Sequence, residues 1–287
     1  MTQPTIRLAL PKGRMQDQVL ELLTDAGIEV MFGRRGYRPK LSLAGFETKL
    51  LKPQNIVEML QVGSRDLGFA GHDWVEELGL DLAELLDTSL DPVRIVCAAE
   101  PAFFDSGRPR REPFLVATEY QELTRRWLQD QGFDGRVVRA YGATEVFPPE
   151  DADCIVDNTA TGETLRANGL AIHDTILTSS TRLYASHQAM ADPGKRELIE
   201  HFCLLVRSVL DARKRVMLEI NVAPERLEDV VGVLPSMREP TVSPLHEGAG
   251  YAVKAAVRRD QLPTLIPQIK AKGGTDIIVT QLAQIVP

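Results

Sequence analysis

Cysteine is sparse in this chain. Its three residues, Cys97, Cys154 and Cys203, are odd in number, far apart and set in apolar runs. This excludes a disulfide framework and a thiolate zinc site, and buried thiols in a reducing compartment are expected. Histidine is sparse as well. His72 stands next to Asp73, while His173, His187, His201 and His246 form no constellation, so a histidine metal centre is not expected. No Ser-His-Asp or Cys-His arrangement is present for nucleophilic catalysis. No apolar run reaches membrane-span length, and the opening MTQPTIRLALPKGR lacks the apolar core and cleavage site of a signal peptide. A cytoplasmic protein without a membrane partner is the expectation. Positive charge is in deficit: 33 Lys and Arg against 40 Asp and Glu give a formal net charge of -7. Nucleic-acid binders usually show the opposite balance, so no nucleic-acid partner is expected. A local group of Arg and Lys can still hold a small anion.

What is present is a sizeable apolar fraction, 44% of 287 residues, enough for about two domains. Strand and helix patterns alternate through the first two-thirds. TIRLAL reads as a strand, and Met15, Val19, Leu22, Leu23 and Ala26 then share a helical face that Gly27 ends. LSLAGFETKLL reads as a hairpin, with a helix from about Asn55. DLGFAG, VRIVCAA, FLVAT, RVVRAYG and ADCIV read as strands, and YQELTRRWLQDQG as a helix. Such alternation predicts a mainly parallel α/β sheet, with ligands beyond the carboxyl ends of its strands. A long helix from about Gly194 to Arg215 closes this region. After a boundary near Lys214 come VMLEINV, ERLEDVVGVL, PTVSPL, GYAVKAAV, LPTLIPQIKAKG and TDIIVTQL. That order is strand, helix, strand, strand, helix, strand, which is the ferredoxin-like unit.

The most informative stretch is DCIVDNTATGETLRANGL, residues 153–170. It starts as a buried strand, turns through NTATG and continues as a helix that Asn168 and Gly169 stop. Thr161 can cap that helix, Thr159 and Thr164 add donors, and Gly162 lets the backbone come close to a ligand. A phosphate suits this position, although an ordinary capped connection has the same pattern. Asp153 and Asp157 bracket the strand at an even spacing, which puts both on one side. Carboxylates beside a phosphate loop point to ribose hydroxyls, or to magnesium carried by a diphosphate. Asp153 reads equally well as a solvated residue ahead of the strand. Lys12, Gly13 and Arg14 follow the first strand and can take a diphosphate or triphosphate.

The stretch resembles the signature of the ATP phosphoribosyltransferase family, the first enzyme of histidine biosynthesis. LALPKGRMQDQVLELLTDAGI, VGSRDLGFAGHDWVEE, VATEY and YGATEV resemble further family segments in the same order. VAPERLEDVVGVLPSMREPTVSPL resembles the regulatory domain of the family's long form. The resemblance implies a two-lobed, periplasmic-binding-protein-like α/β catalytic region followed by a C-terminal ferredoxin-like (ACT-like) α+β domain. The implied organisation is one lobe from residues 1–93 and 184–213, a second from 94–183, and a regulatory domain from 214–287. The implied reaction joins ATP to phosphoribosyl pyrophosphate, with Mg2+ as cofactor, in a homo-oligomer, by family resemblance a hexamer, inhibited by histidine. Asp153 and Asp157 would act on the ribose and magnesium. Asn158, Thr159, Ala160, Thr161, Gly162, Glu163 and Thr164 would hold the 5-phosphate. Lys12, Gly13, Arg14, Lys52, Asp73, Tyr120 and Glu145 would serve ATP or the diphosphate, Tyr120 lying against the adenine. Thr241, Ser243, Gly273 and Gly274 are the candidate histidine contacts, although the residues alone read as ordinary strand and turn.

The chain departs from the family pattern at Lys52, where Arg is usual, at Asn55, at Glu119, where Lys is usual, and at Glu163 inside the loop. Lys52 keeps a charge but loses the guanidinium fork. The departures at Lys52, Asn55 and Glu119 are the sequence support for the alternative, a non-catalytic ligand-binding or sensor protein on the same scaffold.

Overall fold

The computed structural model describes residues 4–33, 36–235, 237 and 239–286. The chain divides into two compact units, Met1–Glu21 with Ile28–Glu200, and Leu22–Gly27 with His201–Pro287.

The first unit is built on one eight-stranded sheet. β1 (Ile6–Pro11) is buried along nearly its whole length, as a strand covered on both faces should be. After the Lys-Gly-Arg turn, α1 (Gln16–Asp25) buries Val19, Leu22 and Leu23. Among the described residues, β2 (Val30–Met31) and β3 (Lys40–Leu41) pair only with each other. β4 (Phe46–Leu51) lies parallel on β1, in register from Ile6 opposite Phe46 to Pro11 opposite Leu51. The hairpin expected over LSLAGFETKLL is therefore not formed. Pairing all of β4 with β1 gives a longer ladder than the two-residue β3 could offer. α2 (Pro53–Gln61) begins on Pro53, whose fixed φ suits a first helical turn, and buries Ile56, Val57 and Leu60. β5 (Leu67–Gly71) is buried at every residue and runs straight into α3 (His72–Leu78).

β6 (Ala83–Ala99) is 17 residues long. The short pair β7 (Phe104–Asp105) and β8 (Arg108–Pro109) follows, then β9 (Phe114–Thr118), α4 (Gln121–Gln131), β10 (Gly135–Arg139), β11 (Cys154–Thr159) and α5 (Glu163–Ala167). β12 (Ala171–Ala185), 15 residues long, returns alongside β6 in antiparallel register. The sheet order is β10-β9-β11-β6-β12-β5-β1-β4. Arg94–Ala99 of β6 pair with β11, whereas Thr181–Ala185 of β12 pair with β5. Two long strands thus run through both lobes. Near their middle the ladder is irregular: Ser89 and Asp91 have positive φ, and the register shifts between Ser179 and Thr181. Each lobe has its own core, one around Ile56, Leu60, Ala70 and Tyr184, the other around Val116, Trp127, Cys154 and Val156. α6 (His187–Ala191) and α7 (Pro193–Arg213) follow.

The second unit carries a four-stranded antiparallel sheet. Its elements are β13 (Arg215–Val222), α8 (Leu227–Val231), β14 (Thr241–Pro244), β15 (Tyr251–Arg258), α9 (Leu262–Ala271) and β16 (Gly274–Gln281), with strand order β14-β15-β13-β16. Residues alternate between buried and half-buried along β13, and Val230, Leu265 and Ile269 pack on the buried face. This is the ferredoxin-like arrangement. The helix expected over ERLEDVVGVL shrinks to α8 behind a 3-10 turn at Pro224–Arg226, and Gly232 follows directly. Among the described residues no helix is long and apolar enough to cross a membrane. Cys97, Cys154 and Cys203 are buried as thiols.

Candidate active site

β5 runs parallel to β1, and β11 runs opposite to both through the antiparallel steps across β12 and β6. The carboxyl ends of the two lobes' strands therefore point toward each other. Between them lies a cleft of about 350 Å³, lined by Lys12 and Arg14 after β1, Asp73 and Trp74 after β5, Glu119 and Tyr120 after β9, and Asn158 on β11. A second hollow of about 280 Å³ is lined by Thr144, Glu145, Asp157 and the loop through Leu165. Arg14 and Asn158 line both, so the two hollows adjoin.

The loop after β11 is shaped by its own hydroxyls. Thr159 Oγ1 accepts the Gly162 amide at 2.9 Å, and Thr161 Oγ1 accepts the Glu163 amide at 3.3 Å. The residue capping α5 is Gly162, at φ 78°, with no side-chain cap, so Thr161 supports the turn from one position earlier than expected. Glycine is favoured at 162 by its left-handed φ, whereas a Cβ there would meet only the end of the flexible Arg166 side chain at 3.3 Å and Ile172 in ordinary contact. Ala160, Thr161, Glu163 and Thr164 are exposed along this hollow. Burial raises the Asp157 carboxyl above its ordinary value, and the Thr144 hydroxyl, which donates to it, opposes the shift.

Asp153 does not join Asp157. It sits ahead of β11, where Arg111 Nε donates to its Oδ1 at 2.9 Å and the Leu115 amide to its Oδ2 at 2.7 Å. An even spacing does put two side chains on one face. Four residues of strand, however, also separate them by about 13 Å, and the amino end of β11 lies away from the cleft. A ribose or magnesium role for Asp153 is thereby ruled out by geometry.

Asp73 and Tyr120 are brought together, but as partners of each other. Asp73 is buried, and both its oxygens are engaged, one by the Ser179 hydroxyl at 2.7 Å and one by the Tyr120 hydroxyl at 2.8 Å. Gly71 makes room for that carboxylate, because a Cβ there would overlap Asp73 Oδ1. Tyr120 is 1% exposed and stacks on Trp74, with centroids 4.8 Å apart. Its ring is therefore covered by protein, which corrects the expected contact with adenine. Trp74, half-buried, is the more exposed of the two aromatics that line the cleft.

Lys12 and Arg14 are exposed at the cleft, and Lys12 Nζ lies 5.7 Å from the Tyr37 ring centre. Gly13, at φ 87°, turns the chain between them. Lys52 stands immediately ahead of α2 and is exposed. Its charge acts on Glu119, whose carboxyl is raised by burial first and by the nearby charge of Asp157 second, with Lys52 and Arg139 opposing. Glu145 lies in the 3-10 turn Thr144–Val146 at the rim of the loop hollow.

The four histidine candidates are not gathered within one chain. Thr241 and Ser243 are exposed on β14, at one edge of the four-stranded sheet, while Gly274 opens β16 at the other edge. The Gly273 amide donates to the Lys270 carbonyl at 3.1 Å, and Gly274 pairs with Val222.

Trp74, Asp91 and Ser179–Thr181 line the cleft without a motif to announce them. Trp74 had the best available signal, since it is one of two tryptophans and opens a helix directly after a buried strand.

Comparisons with known proteins agree along nearly the whole chain. Residues 52–208 match the ATP phosphoribosyltransferase (HisG) family model, and residues 212–284 match the HisG C-terminal domain. A curated ATP phosphoribosyltransferase from Desulforudis audaxviator is 38% identical, covering 98% of this chain and 99% of that protein. One from Pelotomaculum thermopropionicum is 34% identical with the same coverage. A solved ATP phosphoribosyl transferase (HisG:HisZ) complex from Thermotoga maritima superposes with a TM-score of 0.63 at 27% identity, covering 72% of this chain and 99% of that one. The chain belongs to the ATP phosphoribosyltransferase family, in its long form with a C-terminal domain.

Proposed function

We propose that the hollow around the β11–α5 loop holds phosphoribosyl pyrophosphate and that the adjoining cleft holds ATP, with Arg14 between them. The family supplies the reaction: ATP and phosphoribosyl pyrophosphate give N1-(5-phosphoribosyl)-ATP and pyrophosphate, the first step of histidine biosynthesis. The observation that supports the placement is that Arg14 and Asn158 line both hollows. The adenine N1 lone pair forms a bond to C1 of the ribose as the bond from C1 to the pyrophosphate oxygen breaks. N1 carries no proton to remove, so the residues need only position two anions and balance the charge on the ribosyl carbon and leaving group. Thr161 and Thr164 with the loop amides take the 5-phosphate, Asp157 takes ribose hydroxyls, and Lys12 and Arg14 face the diphosphate and triphosphate.

Among the described residues no group of three or more His, Cys, Asp or Glu side chains could cage a metal. That donor set fits magnesium arriving on the diphosphate, with Asp157 as the nearby carboxylate. The test is formation of phosphoribosyl-ATP from ATP, phosphoribosyl pyrophosphate and magnesium. Thr161→Ala should weaken phosphoribosyl pyrophosphate by about 1–3 kcal/mol through a lost charge-assisted hydrogen bond. Unchanged kinetics in that variant, with the fold intact, would remove the loop from the site.

Histidine inhibition and a hexamer belong to the same reading, as does a cytoplasmic location. A histidine pocket using both Thr241 with Ser243 and Gly273 with Gly274 would need sheets from two copies, because one sheet puts the two pairs at opposite edges. Coupling of about 1–3 kcal/mol to the active site is the expected scale. Calorimetry on the intact protein should show heat with histidine and parallel loss of activity. Millimolar histidine giving neither would end the regulatory assignment and leave the catalytic one standing.

A further inference from the structure

Tyr120 is the middle link of a hydrogen-bond chain that crosses from one lobe to the other. Its hydroxyl donates to Asp73 Oδ2 at 2.8 Å, and Asn158 Nδ2 donates to that hydroxyl at 3.1 Å. Asp73 Oδ1 accepts from the Ser179 hydroxyl at 2.7 Å, and the Asp73 amide donates to the Ser179 oxygen at 3.0 Å. Ser179 and Asp73 belong to β12 and α3, whereas Asn158 lies in β11, where the phosphoribosyl loop begins. One turn further along α3, the Glu77 oxygens accept the Glu122 and Leu123 amides at 3.0 Å each, so the first turn of α4 is capped from the other lobe.

The direction of this chain is forced. A carboxylate only accepts, an amide NH2 only donates, and the hydroxyl has one proton. Burial, together with the charge of Asp73, keeps the phenol protonated far above its ordinary range. The Asn158 amide nitrogen also lies 3.2 Å from Asp157 Oδ1. Both nitrogen contacts are thus made by protein, and the carbonyl oxygen is what Asn158 can offer the cleft. An acceptor suits a sugar hydroxyl and is wrong for a phosphate oxygen.

We propose that Tyr120 is a positioning residue: it orients the Asn158 amide so that the carbonyl oxygen accepts a ribose hydroxyl of the phosphoribosyl substrate, and it does so through Asp73 of the opposite lobe. This rests on the placement of phosphoribosyl pyrophosphate at the loop. It links that substrate's affinity to the docking of the two lobes.

Tyr120→Phe keeps the ring on Trp74 and removes only the hydroxyl. The KM for phosphoribosyl pyrophosphate should rise about tenfold, the scale of one lost hydrogen bond, with kcat and the KM for ATP within about twofold. Asn158→Ala should do the same, and the double variant should be no worse than either single one, because both remove the same link. A purely structural tyrosine would instead scale kcat with the folded fraction and leave the KM alone. If the phenylalanine variant does not fold, Ser179→Ala cuts the chain one link earlier and should raise the same KM about threefold. The proposal is overturned if Asn158→Ala is impaired while Tyr120→Phe is normal, or if the double variant multiplies to about a hundredfold. If Asn158→Ala and Thr161→Ala both leave that KM unchanged, the loop placement falls and the proposal falls with it.

Discussion

Alanine at both Lys12 and Arg14 should lower kcat/KM for the condensation by roughly 10²–10⁴, while the melting temperature moves by no more than about 2 °C. In the proposed placement each cation faces anionic oxygens, and a hydrogen bond to a charged group contributes about 1.5–3 kcal/mol. The two follow β1 at the carboxyl edge, Gly13 turns the chain between them, and both side chains are exposed along the cleft. Arg14 borders both hollows, so Arg14→Ala alone should raise the KM for both substrates. Lys12→Ala should act mainly on one. Exposed side chains outside the core contribute little to folding, which is why stability should hold. A large fall in melting temperature with normal substrate affinity would show that the two cations are structural. Steady-state kinetics with each substrate varied, beside a thermal melt, separates the outcomes.

The largest expected effect on stability is at Asp66, outside the cleft. Its carboxylate accepts from the Arg7 amide at 2.8 Å, from Arg7 Nε at 2.9 Å, from Arg7 Nη2 at 2.8 Å and from Lys195 Nζ at 2.9 Å. It therefore ties β1, β5 and α7 at one point. Its side chain is 2% exposed, whereas Arg7 and Lys195 reach solvent. Asp66→Ala should cost about 3 kcal/mol, the low end for breaking a buried pair, because the partners can recover some hydration. The melting temperature should fall by roughly 6–12 °C. Burial alone would raise the Asp66 carboxyl, but Arg7 and Lys195 overcome it and hold the group at about 2, below its ordinary 3.8. A carboxyl depressed in the folded state stabilises above its unfolded value and loses that contribution as pH falls toward the folded one. The advantage of the native chain over Asp66→Asn should therefore be full above pH 4 and shrink between about pH 4 and 2. A constant gap across that window would contradict the ion-pair account.

Much of the site could be read from residue order, and the exceptions share a physical cause. The β11–α5 loop was legible because strand burial, turn residues and helix pattern all lie in one continuous stretch. Lys12 and Arg14 were legible because they follow a buried strand. Asp153 misled because alternation reports the face of a strand and not the position along it. Asp73 and Tyr120 carry the right chemistry for a ligand, yet they satisfy each other, and that pairing across 47 residues leaves no local trace. Trp74 gains its place by stacking on Tyr120, which only the fold brings near. β12 received no assignment from the pattern, since its hydroxyl-rich middle becomes strand by pairing with β6 from far away in the chain. The hairpin over LSLAGFETKLL failed for the same reason: β1 competes for β4 from far away in the chain.

The two long strands also fix an order of assembly. A ribosome delivers β1, β4 and β5 well before β12, and β5 gains its outer partner only when Thr181–Ala185 emerge. The second lobe waits less long, because β9, β10 and β11 can pair with one another and with the end of β6 beforehand, and Ala171–Thr178 of β12 then cover the other side of that segment before Thr181–Ala185 emerge. Closing the long loop between β5 and β12 is entropically slow, whereas the contacts inside it are closer in sequence. The lobe begun first is thus completed last. Until β12 arrives, the nascent chain carries β5 as an open strand edge, the kind of edge through which unfinished chains pair with one another.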